Sequence, residues 1–184
     1  MSGPAVAHLV SQKLRQTDWR FSDIMAADQD GNIKPTINKW ACLFFAHCSI
    51  AEDWAKVAMS EKEKEALYHE LVRMNAGNKY RGMGPTCYVA NHEDSLNHAL
   101  QMLGVSARAH YVFIDRVNGE VVYPLSDSKE YKGLVNARVD QWKVQGSNSH
   151  FIHVELDGTE LYNPYPQLPL LHRMSARGYY IELM

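Results

Sequence analysis

The sequence predicts a single α+β domain, and three observations carry that expectation. The apolar run "ACLFFAHCSIA" is too short to span a bilayer and reads as a buried central helix. Two more helical patterns follow it before Gly104. From about residue 105 the chain changes to alternating, β-rich segments separated by turn residues. Helices first and an antiparallel sheet afterwards is the order expected of α+β rather than βαβ construction. One domain over 1–184 is expected, in three parts: an N-terminal helix and irregular extension (1–35), a helical part (36–104) and a sheet part (105–184).

Each element has a local reason. Val6, Leu9, Val10 and Leu14 repeat at helical spacing, so residues 4–16 are expected to be helical. Residues 17–39 read as irregular, with "DQDGN" as turn chemistry and Pro35 as a breaker. The central helix runs from Cys42 to about Lys56 and is apolar on nearly every face before Glu52. Ser60 and Glu63 form a capping box for the next helix, with Gly77 at its stop. "NHEDSLNHALQMLG" is acidic at its start and closed by Gly104. Asn118-Gly119 marks one hairpin, and Asp157-Gly158 a second, between strands 149–156 and 159–163. Residues 134–144 favour strand over helix through the alternation of Val135, Ala137 and Val139, and "GYYIEL" closes the sheet.

Composition excludes several function classes. Nineteen basic against twenty-one acidic residues give a net charge of −2, so no broad nucleic-acid surface is expected. Neither a secretory signal nor a membrane-spanning run is read in the chain, which points to a cytoplasmic setting. Three cysteines, Cys42, Cys48 and Cys87, make an odd count without framework spacing, so free thiols are expected. No metal or other cofactor is expected. Asp28, Asp30 and Asn32 look superficially like a calcium loop, but Gly31 falls early and the closing acidic residue is missing. Cys87, His92 and His98 lack zinc spacing, while His47 and His69 sit on helices far from any partner.

The chemistry concentrates in "GSNSHFIHVELDGTELYNPYP", residues 146–166. A two-residue turn at Asp157-Gly158 would pair Leu156 with Thr159 and His153 with Tyr162. Strand alternation then puts His150 on the face of Asn163 and His153 on the other, which also prevents the two histidines from chelating one ion. An amide oxygen at Asn163 can fix the His150 tautomer and free its other nitrogen to act as a base. His153 is expected to be a packed or half-exposed structural residue.

Such a pair needs a nucleophile. Cys42 opens the buried helix, where unpaired N–H groups favour thiolate and can hold an oxyanion. Cys48 lies inside the apolar helix and reads as filler; Cys87 follows a Gly-rich loop and is the rival nucleophile. A cysteine on a buried helix, then "HFIHVELDGTELYNPYP", then "GYYIEL", resembles the papain-like cysteine peptidases. The closest likeness is to the compact branch of bacteriocin double-glycine leader peptidases. That resemblance implies a papain-like fold and a cysteine peptidase in which Cys42 is the nucleophile, His150 the general base and acid, and Asn163 the orienting residue. It also makes Asn38, four residues upstream of Cys42, the oxyanion candidate in the absence of a suitably placed glutamine. A protein or peptide amide is the expected substrate, with an acceptor other than water making the chain a transferase. Two alternatives remain open: a non-catalytic papain-like binding or effector protein, its aromatic residues lining a groove, or a peptidoglycan amidase delivered by a phage or a secretion device. The oligomeric state is not read.

Overall fold

The computed structural model describes residues 13–15, 26–27, 33–34, 41–117 and 128–184. The element order among them is β1 (Ala26–Ala27), β2 (Ile33–Lys34), α1 (Cys42–Ala55), α2 (Glu61–Gly77), α3 (His92–Met102), β3 (Ala107–Arg116), β4 (Ala137–Val144), β5 (Ser147–Val154), β6 (Glu160–Tyr162) and β7 (Leu170–Leu183). A 3-10 segment, Lys129–Leu134, precedes β4. The architecture is α+β: three helices and a five-stranded antiparallel sheet in the order β3-β7-β4-β5-β6. None of the described helices is long and apolar enough to cross a membrane.

α1 is the centre of the molecule because its sequence gives it no polar face. Cys42 to Asp53 are all buried, and the helix packs on α3 and on β5. It ends at Lys56, which adopts a left-handed conformation (φ 56°). Phe44, Phe45 and Ile50 share one core with Leu67 and Leu71 of α2, Leu96 and Leu100 of α3, and Val139, Tyr179 and Ile181 of the sheet. The capping box of α2 is complete: Glu63 N–H donates to Ser60 Oγ at 3.1 Å, and Ser60 N–H to Glu63 Oε1 at 3.0 Å. Gly77 is the last helical residue of α2 and Asn78 leaves it in an extended conformation. Asn91 caps α3 by accepting from Asp94 N–H, and Gly104, at φ 75°, follows its end.

Several expectations need correction. Residues 13–15 are not helical; the rest of the expected first helix, the Asn118-Gly119 hairpin and the Asp28–Asn32 turn lie outside the described residues. The irregular N-terminal part contains a small antiparallel ribbon, with Ala26 opposite Lys34. The hairpin after β5 has a longer turn than Asp157-Gly158 alone. Gly158 N–H donates to Glu155 O at 2.9 Å and Glu155 N–H to Thr159 O at 2.8 Å, so Leu156 and Asp157 are the central residues. Gly158 follows at φ 93° as the bulge residue, so Leu156 does not pair with Thr159. The register recovers at His153 opposite Tyr162.

The last strand begins eight residues earlier than "GYYIEL" and lies between β3 and β4, hydrogen-bonded to both. Gly178 is required there by close approach, since an added Cβ would sit 2.9 Å from both Ile114 Cδ1 and Val135 Cγ1. The Gly178→Ala variant is expected to lose about 1–3 kcal/mol from overpacking, read as a lower urea midpoint at unchanged m-value. An unchanged midpoint would show that Ile114 and Val135 move aside freely.

Candidate active site

Cys42 is the first residue of α1, and among the described residues no side chain caps the helix there. Ala41 offers no side-chain bond and the first turn holds no acidic residue. The helix start therefore presents its first N–H groups near the sulfur. Those of Leu43 and of Cys42 itself are directed at the thiol, joined by the N–H of Phe151 from β5. Among the described residues β6 pairs with β5 at His153 and Val154 only. The Phe151 N–H contact brings Cys42 against the residue next to His150.

His150 is buried and its Nε2 lies 2.8 Å from Asn163 Oδ1. The same Oδ1 accepts the Tyr165 N–H at 3.0 Å, which identifies it as the amide oxygen. An oxygen can only accept, so His150 Nε2 must carry the proton. In neutral His150 the Nδ1 is then a bare acceptor, the protonation state a general base needs. Trp142 stands opposite His150 in the β4–β5 ladder. Its buried indole N–H has no hydrogen-bond partner among the described residues.

The electrostatics differ from the expectation of a thiolate. Burial pushes the Cys42 thiol up to about 11, and the N–H groups of Phe151, Leu43 and Cys42 oppose this without prevailing. Burial also lowers His150, against the raising effects of the Asn163 bond and of Glu160. Both effects favour neutral partners. With Cys42 at 5% and His150 at 3% exposure, the pair is sealed from water, which is why desolvation outweighs the helix end.

The two histidines of β5 do take different partners. His153 Nδ1 lies 2.8 Å from Ser49 Oγ on α1, and 3.8 Å from Asp53 Oδ2. The body of α1 thus packs on the His153 face, while its first residue meets Phe151, the neighbour of His150 in the chain. Cys48 is fully buried, its pKa pushed up to about 12 by desolvation. Cys87 is also buried and pushed up, first by desolvation and then by Cys42 and Cys48 nearby. It sits in a tight turn, its N–H donating to Gly84 O at 2.9 Å, with a left-handed φ of 65° and no helix start beside it. None of the three cysteines is in a disulfide. Asn38 lies outside the described residues.

Other candidates resolve into structure. His47 is not isolated: it bonds Ser95 and Tyr179 in the core. His69 is an exposed neighbour of Glu65, 3.9 Å away. The aromatic residues do not gather into one groove, because Tyr162 and Tyr179 are core residues while Trp142 faces His150 across the ladder. Among the described residues no three His, Cys, Asp or Glu side chains converge on a metal position. The Phe151 N–H, the Trp142 placement and the Tyr165 N–H had no signal in the sequence beyond their nearness to the His150 motif or to a strand partner.

The chain matches no protein-family model, no curated protein and no solved structure. The site's chemistry therefore rests on its own geometry.

Proposed function

We propose that this chain is a papain-like cysteine peptidase or a related thiol amide hydrolase. The observation that carries the reading is the His150–Asn163 bond, with the uncapped helix start holding Cys42 beside Phe151. The nucleophile is generated on demand. As the Cys42 sulfur bonds to the amide carbonyl carbon, its proton passes to His150 Nδ1, and Asn163 Oδ1 supports the imidazolium through Nε2–H. The N–H groups at the helix start stabilise the negative oxygen. His150 then gives the proton to the leaving amine as the C–N bond breaks. Water attacks the thioester, returns a proton through His150 and releases the acid; an amine in place of water gives transfer. A protein or peptide segment is the substrate class, admitted by an opening motion because the pair is sealed at rest.

That sealing is also the observation favouring a second reading, a non-catalytic papain-like binding protein. Alkylation with iodoacetamide near neutral pH, followed by peptide mass mapping, separates the two. The peptidase reading expects Cys42 to label first, ahead of Cys48 and Cys87, and His150→Ala to slow that labelling. Equal, slow labelling of all three thiols would sink it.

A further inference from the structure

Asn163 stands just past the end of β6, a three-residue edge strand whose ladder to β5 consists of two residue pairs. So short an edge gives weak support to the residue that orients His150. The support comes from the other end of the chain. Arg15 donates to the Asn163 carbonyl, and its guanidinium lies 4.7 Å from the centre of the Tyr162 ring. The Tyr162 hydroxyl donates to Leu14 O. Lys13 anchors this strap on α1: its Nζ lies 2.7 Å from Asp53 Oδ1 and donates to Ser49 Oγ at 2.7 Å. Ser49 Oγ in turn meets His153 Nδ1, and His153 is the partner of Tyr162 in the ladder. Three consecutive residues thus tie α1, β5 and β6 together around Asn163.

We propose that Arg15, secured by Lys13, is a positioning residue of the site: it fixes the Asn163 backbone and through it the His150 ring. This rests on the peptidase reading for its kinetic consequence, but not for its structural one. Arg15 touches neither sulfur nor substrate in this scheme. It acts by keeping Asn163 Oδ1 on Nε2–H, which holds the ring in place and leaves Nδ1 as the acceptor. The planar guanidinium suits the task because it covers the Tyr162 ring while donating to a carbonyl.

The test is made in the full chain, with Arg15→Ala, Arg15→Lys and Lys13→Met. Nitrogen-15 histidine NMR reads the His150 Nε2–H directly, as a hydrogen-bonded proton slow to exchange with water. The proposal expects this signal in the parent, its loss or broadening in Arg15→Ala, and partial recovery in Arg15→Lys, which keeps a donor but not the fork. Peptide hydrolysis should lose about 10- to 100-fold in kcat with little change in KM. Lys13→Met should reproduce the Arg15→Ala spectrum if it folds; if it does not, the two Arg15 variants decide. An unaltered His150 signal in Arg15→Ala overturns the proposal and leaves the peptidase reading standing. A signal lost in that variant, with no amide hydrolysis by the parent, supports the strap and removes the peptidase reading instead.

Discussion

Replacing His150 by alanine is expected to lower kcat/KM for a peptide amide by about 10³-fold or more, the usual worth of a general base that also serves as the acid. The thiol at about 11 makes the dependence severe. A thiolate already present at neutral pH would leave a variant with residual nucleophilicity; a buried neutral thiol does not. Cys42→Ala should abolish turnover altogether. Asn163→Ala should cost less, because it loosens the ring without removing the base. Asn163→Asp makes a sharper test, through pH. Activity requires His150 neutral, so the acid limb of kcat/KM follows the His150 pKa, which burial holds below its usual value. A carboxylate accepting from Nε2–H would favour the imidazolium and raise that pKa. The acid limb should therefore move to higher pH in Asn163→Asp, with the rate at its plateau largely kept. Measured pH–rate profiles check this. A His150→Ala enzyme within about tenfold of the parent would refute the assignment.

Much of this site was legible because its parts are local. The His150–Asn163 relation follows from strand alternation and a turn between them, and it survived an error in the turn itself. The Ser60–Glu63 box was readable because a cap and its partner lie three residues apart. The first half of β7 was not legible, because Arg173, Ser175 and Arg177 break the apolar alternation. Their partners come from other strands: Asp115 for Arg173, and Gln141 and Tyr111 for Arg177. Tertiary contacts made a strand from residues whose own pattern argues against one. The strap at Lys13–Arg15 was hidden for the same reason, since 148 residues separate Arg15 from Asn163. For Cys42 the sequence identified the helix-end effect but not the desolvation that opposes it. The helix end does pull the thiol down, and only the packing around it shows that desolvation prevails.

Acid is expected to unfold this protein through two histidines that take no part in the proposed chemistry. His47 Nε2 and His92 Nδ1 both lie 2.6 Å from the Tyr179 hydroxyl, and His47 Nδ1 lies 2.8 Å from Ser95 Oγ. One hydroxyl proton serves two rings, so Tyr179 donates to one imidazole and accepts from the other. Burial pushes His47 down to about 3, and His92 well below its usual value with further lowering from His47 and Arg177. Both folded pKa values thus lie below the unfolded value of about 6.5. Below that pH the unfolded chain binds more protons than the native one, so stability is complete above it and falls as pH falls. Each histidine contributes a slope of about 1.4 kcal/mol per pH unit. For His47 two units of acidification below 6.5 then remove about 3 kcal/mol, a large share of the stability of many domains, and His92 adds in the same direction. Glu52 and Asp140, whose carboxyl pKa values burial raises, act in the opposite sense, and Asp94 contributes loss only at lower pH. The difference between variants isolates the histidine effect from these. His47→Gln retains hydrogen-bonding groups but cannot titrate, so urea-unfolding free energies measured from pH 7 to 4.5 should fall less steeply by about one proton. Parallel curves for parent and variant would show that His47 is not the linked group. A reduced slope assigns the acid sensitivity to the Ser95–His47–Tyr179–His92 chain, which must stay uncharged for α1 and α3 to remain packed on β7.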